Sequence, residues 1–308
     1  GYPTSVATHE SRLTWSGRDR DWNSATDDFY NFDGTEEGDS ASFSRTIGSG
    51  PVDKINWALS LDVKILGGQG AEHGVRSTTF GEPLTPTNAN IKKASTQGSA
   101  GVPAQAIDSR GVYVQRGGVR VYELLLDGES FNYTSQHLTA LCPSIGSPGI
   151  TRVAVQRQPD TRLHCLRSDG TAAVMVYDRV ENVVCWIEIE TPAADGAIED
   201  VVVLPGDIGD DEDFVYYLVR RTINGSTVRY VEKWAQESEC VGGSLNKQAD
   251  AFIVSSGTTI TGLGHLEGET VVAWGDGRDL GEYTVSGGAI TLSAATTTCV
   301  VGLPYEAR

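Results

Sequence analysis

The stretch Asp200–Trp234, DVVVLPGDIGDDEDFVYYLVRRTINGSTVRYVEKW, decides how the rest of the chain is read. Its apolar run Val201-Val202-Val203-Leu204 is closed by Pro205-Gly206 and an acidic loop, which ends one strand. Phe214 to Arg221 is rich in β-branched and aromatic residues, the composition that suits a pleated, half-buried surface. Asn224-Gly225 predicts a type I′ hairpin, because that turn needs φ > 0 at both central positions. Thr227 to Trp234 then returns antiparallel. A three-stranded meander has two faces and cannot bury both alone, so other units must stack on it.

Working outward, the same shape recurs. Ser5–Gly17 (SVATHESRLTWSG) reads as strand, polar turn, strand, with Leu13 and Trp15 on one face. Ile55–Gly67, Ala106–Gly117 and Val153–Gly170 repeat it, turning at Ser60-Leu61-Asp62, Asp108-Ser109-Arg110 and Gln158-Pro159-Asp160. The closing glycines Gly17, Gly67, Gly117, Gly170 and Gly225 fall 50, 50, 53 and 55 residues apart. Further strands follow at Val119–Leu124, Ala172–Tyr177 and Val183–Ile189. Four antiparallel strands per period of about 50 residues is the pattern of propeller blades, each of which buries its faces only against its neighbours. The expectation is therefore an all-β chain: a β-propeller-like array of five blade-like repeats over residues 1–244, closed on itself or completed by chain before Gly1. Tandem sandwiches are the structural alternative.

From about Leu245 the texture changes. Ala249–Val254, Thr258–Leu263, Thr270–Trp274, Gly281–Val285, Ala289–Leu292 and Cys299–Val301 read as six short strands separated by glycine-rich turns. They predict a small six-stranded β-barrel or sandwich over residues 245–308. The connections from Gly17 to Pro51 and from Gly67 to Pro103 read as long loops poor in strands, of the kind that bear contacts. The first combines six acids (Asp27, Asp28, Asp33, Glu36, Glu37, Asp39) with Trp22, Phe29, Tyr30 and Phe32, as a partner anchor or a cover for a blade edge would.

The net charge of −17 speaks against DNA or an anionic membrane as a bound partner, but not against a lumen through which DNA slides. Solubility in a salty environment accounts for the charge equally well. The five cysteines are odd in number, widely spaced and without a CxxC, so free buried thiols are expected rather than a disulfide framework. There is no signal-peptide pattern and no apolar run of membrane-spanning length. The first residue is Gly1 rather than Met, as in a processed form or a fragment.

Chemistry-bearing motifs are absent. The histidines never fall at metal-ligand spacing, and His164 and Cys165, adjacent on a strand, point to opposite faces. There is no GxSxG, HExxH, P-loop or dinucleotide-binding glycine motif. A non-enzyme without a cofactor is the expectation. Asp207, Asp210, Asp211, Glu212 and Asp213 form the densest acidic run, and Asp207, Asp210, Asp211 and Asp213 are the candidate ligands for Ca²⁺. Their spacing departs from the EF-hand loop, so a solvated hairpin tip is favoured. Arg220, Arg221 and Arg229 fit ordinary cross-strand pairing.

A family resemblance adds to this reading. The opening GYPTSVATHESRLTWSG resembles the GYP-x-x-V…RL-x-(W/F)-x-G start seen in large tailed-phage structural proteins. Ser95–Leu124, VVLPGDIGDDEDFVYYLVRRTINGSTVRYVEKW and Gly262–Leu292 follow in the same order. The chain is similar to the tail tubular protein B, or tail nozzle, family. That resemblance implies a propeller-bearing subunit of a homo-oligomeric ring in the virion tail. Adaptor and fibre proteins would be its neighbours, and phage DNA would pass through the lumen without specific binding. The C-terminal part also looks like a small β-barrel that phage proteins share with a domain of ubiquitin-activating enzymes, here with no catalytic cysteine motif. Family members usually carry substantial chain before the GYP start. Two other classes stay open: a host-surface glycan-binding module using Trp22, Tyr30 and Trp274 as stacking platforms, and a propeller glycan hydrolase, for which no carboxylate pair stands out. The residues expected to touch partners are Trp22, Phe29, Tyr30, Asp210, Asp211 and Glu212.

Overall fold

The computed structural model describes residues 2–48, 53–79, 81–191, 196–236 and 249–304. The repeated pattern folds as consecutive antiparallel meanders. The first sheet holds β1 (Ser5–His9), β2 (Arg12–Gly17), β3 (Arg20–Asn23) and β4 (Phe43–Thr46) in chain order. The second holds β5 (Ile55–Ser60), β6 (Lys64–Gly68), β7 (Glu72–Arg76) and β8 (Asn90–Ser95). The third holds β9 (Gln105–Ile107), β10 (Arg110–Val114), β11 (Val121–Asp127) and β12 (Asn132–His137). β13 (Ile150–Gln156), β14 (Arg162–Arg167), β15 (Ala172–Asp178) and β16 (Val183–Ile189) make the fourth. β17 (Ala197–Leu204), β18 (Phe214–Ile223) and β19 (Ser226–Lys233) make a three-stranded fifth. Sheets begin at Ser5, Ile55, Gln105, Ile150 and Ala197, a period of 45–50 residues. The fold is all-β, a propeller-like array of antiparallel blades. Contacts divide the chain into two compact units, Gly1–Val155 and Gln156–Arg308.

Local sequence explains the hairpins. Asn224 and Gly225 have φ of 47° and 74°, and Ile223 pairs with Ser226 across them, as a type I′ turn requires. Glu10 and Ser11 make the same turn at 46° and 57° without a glycine. In the first unit, Phe43, Ile47, Ile55 and Leu66 form one core, and Trp57, Ile65, Tyr113, Leu124 and Tyr133 form another, so successive sheets cover each other. Gly67 permits the second core: an added Cβ would lie 2.0 Å from the Trp57 ring.

Several expectations are corrected. The connections after Gly17 and Gly67 are not strand-poor, since each supplies two strands, β3 and β4 or β7 and β8. Their sequences (RDWN, FSRT, EHGVR, NIKKAS) lack apolar alternation because much of what they bury is polar. In β2 the inward face is Arg12, Thr14 and Ser16, while Leu13 is half-buried and Trp15 is exposed. Of the cysteines, Cys165 and Cys299 are buried but Cys142 and Cys185 are exposed, and Cys240 lies outside the described residues.

In the C-terminal part the six expected strands are four: β20 (Ala249–Thr261), β21 (Thr270–Gly275), β22 (Arg278–Thr284) and β23 (Ala289–Pro304), in the order β20-β23-β21-β22. Two pairs of short strands fuse into long ones. Register shifts between Asp250 and Ile253 and around Gly257 bend β20 without ending its pairing to β23. Ile260, Val271, Ile290, Cys299 and Val301 meet in one core, so this is a bent sheet wrapped on itself. Among the described residues no pairing closes it into a barrel. The expected boundary at 244–245 lies outside the described residues.

Candidate interaction surfaces and cavity

The aromatic, acidic connection between β3 and β4 is an ordered loop built around one cation. Arg12, fully buried, donates from Nη1 to the carbonyls of Ser24 (2.7 Å) and Ala41 (2.8 Å), and from Nη2 to that of Asp39 (2.7 Å). Carbonyls that would otherwise be unsatisfied inside the loop thus share a guanidinium. Phe29, Tyr30 and Phe32 are left exposed, Tyr30 at 97%. Trp22 is half-buried and pairs with Trp15 across the first sheet. The three aromatic contact candidates are thus not one patch by sequence alone: Phe29 and Tyr30 belong to the loop, Trp22 to the sheet face.

Behind that loop lies a buried ionic cluster that pattern reading missed. Lys64 on β6 donates to Asp21 Oδ2 (2.8 Å), Asn23 Oδ1 (2.5 Å) and Thr14 Oγ1 (3.2 Å), satisfying all three of its protons. Asp21 also accepts from Ser16 (2.7 Å) and Asn23 (2.8 Å). Lys64 and Asp21 are both fully buried. Burial lowers the Lys64 pKa, opposed by the Asp21 carboxylate. Nearby, His9 shares a 2.7 Å hydrogen bond with Ser60, and burial, helped by the Lys64 charge, lowers its pKa to about 4. The available signal was the alternation of Arg12, Thr14, Ser16 and of Asp21, Asn23: a period-2 polar face on strands that must be covered on both sides.

In the second unit, β14 and β18 build a neutral relay. Gln156 Nε2 donates to the carbonyl of Gln158 (2.8 Å), so its Oε1 accepts from His164 Nε2 (3.1 Å). His164 Nδ1 in turn accepts from the Tyr217 hydroxyl (2.8 Å). Trp234 packs edge-on to both rings. Burial, and then the Arg162 charge, lowers the His164 pKa to about 3; burial pushes the Cys165 thiol well up, which keeps it inert. Beside this relay opens a cavity of about 600 Å³ lined by Ile198, Tyr217, Tyr230, Trp234, Phe252 and His265. Glu232 and Asp250 are on its wall, both bound by the fully buried Arg221 at 2.9 and 3.0 Å. His265 Nε2 donates to the Ala251 carbonyl (2.7 Å). Arg220 and Arg229, cross-strand partners, share Glu199 at 3.2 and 2.6 Å. Cross-strand pairing is thus their role.

The acidic loop does not assemble into a cation site. Asp213 Oδ2 accepts the backbone N–H groups of Arg157 (2.7 Å) and Gln158 (3.1 Å), so this carboxylate caps the β13–β14 turn. Asp210 closes its own turn onto the Asp207 N–H (3.0 Å). Among the described residues no three of His, Cys, Asp and Glu are placed to hold a metal. Asp210 and Asp211 are exposed, whereas Glu212, expected at a contact surface, is buried. Trp274 is half-buried, with its Nε1 enclosed.

No protein-family model and no curated protein matches the chain. Among solved structures it is similar to an auxiliary nutrient binding protein from Bacteroides thetaiotaomicron, with a TM-score of 0.40 and 12% identity. The match covers 75% of this chain and spans 57% of that protein's length, a likeness too distant to carry function.

Proposed function

We propose that the chain is a structural subunit of a bacteriophage tail, a nozzle or tail-tube component of the DNA ejection conduit. It would work without catalysis in a ring of copies, beside adaptor and fibre proteins. The observation that carries this reading is where the resembling segments fall. In the GYP start, Gly17 leaves room for the backbone of Pro3, which a Cβ would meet at 2.8 Å, and Arg12 organises the loop after β3. In the second segment, Gly98 turns at φ 73° against the Gln69 carbonyl, and Ser99 donates to the buried Glu72 (2.7 Å). In the last, Glu267 accepts from the N–H groups of Gly287 (2.9 Å) and Gly288 (2.7 Å). All of these fix backbone geometry, which is what a shape-determined subunit needs from its sequence. The charge of −17 supports a conduit wall that repels rather than retains DNA. Immunogold electron microscopy of particles tests the reading: labelling at the tail tip is expected, and its absence from particles defeats it.

A second reading is favoured by the presented aromatics. Phe29 and Tyr30, held out on an internally bonded loop, suit stacking on a sugar ring of a host-surface glycan. A glycan array on which Tyr30→Ala binds as wild type removes it.

A further inference from the structure

The cavity of the second unit has an aromatic floor built by strand register. Ile198, Val219 and Tyr230 stand side by side across β17, β18 and β19, and Tyr217 pairs with Glu232 one row along. Trp234, whose N–H bonds the Val215 carbonyl (2.9 Å), extends the same face. The start of β20 adds Asp250 and Phe252, and the turn after it adds His265. The rings meet at steep angles, Tyr230 with His265 at 77° and Tyr217 with Trp234 at 67°, as adjoining walls do. About 600 Å³ is room for a small organic molecule.

The charge of this wall is unbalanced. Arg221 holds both carboxylates: its Nε and Nη2 donate to Glu232 Oε1 and Oε2 (2.9 Å each), and Nη2 also to Asp250 Oδ2 (3.0 Å). One guanidinium thus serves two carboxylates, and Arg221 is fully buried and not itself on the lining. The exposed Glu190 brings a third acid to the cavity. Lys233 also touches it, but its ammonium lies 3.8 Å from the centre of the Phe214 ring, on the sheet face opposite Tyr217 and Glu232. Both bound carboxylates keep acceptor capacity. Asp250 Oδ1 takes the Ala251 N–H (2.9 Å), so each of the four oxygens accepts one protein hydrogen bond and retains a lone pair. The Glu232 and Asp250 side chains are 21% and 29% exposed, which leaves those lone pairs within reach.

We infer that this cavity binds an organic ammonium ion, its N–H donors on Glu232 and Asp250 and its hydrocarbon body among Tyr217, Tyr230, Trp234 and Phe252. Three properties select that class. The surplus carboxylate charge is half-buried, where a counter-cation lowers the cost of holding it. The open positions on Glu232 and Asp250 are acceptors, which an ammonium fills with donors alone. Aromatic faces carry a negative quadrupole and attract a cation besides packing on its apolar part. An anion meets the same wall as repulsion, and a neutral ligand leaves the surplus charge unpaired. The inference stands apart from the tail reading, since all of the residues belong to one compact unit and none depends on assembly.

Three probes of nearly one shape and different charge test it by isothermal titration calorimetry on the full chain at pH 7.5: 2-phenylethylammonium, 2-phenylethanol and 3-phenylpropanoate. The ammonium is expected to bind about tenfold or more tightly than the alcohol, as one charge-assisted hydrogen bond provides, and the carboxylate weakest. Asp250→Asn leaves one carboxylate against one guanidinium. It should bring the ammonium down to the affinity of the alcohol while leaving the alcohol unchanged, whereas a collapsed cavity would weaken both. Circular dichroism checks that the variant folds; if it does not, the comparison of probes on the wild-type chain decides alone. A wild-type chain that binds none of the three overturns the inference. So does one that binds the alcohol or the carboxylate as tightly as the ammonium, or a folded variant that keeps the full preference. A chain found at the tail tip that ignores the ammonium defeats the cavity inference alone, and an ammonium-binding chain absent from particles defeats the tail reading alone.

Discussion

His164 makes the second unit's stability acid-sensitive well above the pH at which carboxylates titrate. Its pKa falls from the ordinary 6.5 to about 3 on folding, because the ring is buried between Tyr217 and Gln156 and beside Trp234. A folded-state pKa below the unfolded one means that the unfolded chain takes up the proton first. Stability is then full above pH 6.5 and is lost as pH falls toward 3. At 1.36 kcal/mol per unit, the limiting loss is about 5 kcal/mol, and roughly 2 kcal/mol is already gone at pH 5. The relay supplies the atomic reason: a second proton on Nδ1 displaces the one Tyr217 donates, in a site where no carboxylate is bonded to the ring. Urea unfolding of wild type and His164→Gln at pH 7.5 and pH 5 isolates this contribution, because all other groups are shared. Wild type should lose about 2 kcal/mol more than the variant over that interval. Equal losses refute the reasoning, and so does an NMR titration of His164 with a midpoint near 6.5.

Two further outcomes follow from the first unit. Lys64→Met leaves the Asp21 carboxylate buried without its cation and should cost about 3–5 kcal/mol in urea unfolding. Lys64→Met with Asp21→Asn should recover part of that loss, and a single variant as stable as wild type would show that the pair is not desolvated. Gly67→Ala drives a methyl into the Trp57 ring and should lower stability by about 1–3 kcal/mol, read as a drop in thermal midpoint. An unchanged midpoint would mean that Trp57 does not pack there.

The sequence by itself determined the repeat. Turn chemistry at Asn224-Gly225 is a local fact, set by which residues tolerate φ > 0, and the structure keeps it; of the periodic glycines Gly170 and Gly225 lie at positive φ, whereas Gly17 and Gly67 sit where a Cβ would meet Pro3 or the Trp57 ring. Strands with an apolar face, such as β18 and β15, were legible for the same reason. The outer strands β3, β4, β7 and β8 were not, because their side chains satisfy each other in polar clusters instead of following an apolar alternation. Nor was the inward turn of Arg12, Thr14 and Ser16 legible, where pattern alone pointed to Leu13 and Trp15. In β20 the fusion escaped notice because a bulge at Gly257 and a turn share the same glycine signature, and in β23 because residues 293–298 carry no large apolar residue to mark a strand.

Only the tertiary structure decided which polar residues go inside. Lys64 is an unremarkable lysine in its strand until Thr14, Asp21 and Asn23, from 41 to 50 residues earlier, supply its three acceptors. The acidic loop of the deciding stretch likewise reads as a solvated hairpin tip, with an ion site as the weaker candidate, until Asp213 is seen capping a turn 55 residues before it. A burial penalty of several kcal/mol per charge is cancelled only by partners distant in sequence, and no local window contains them.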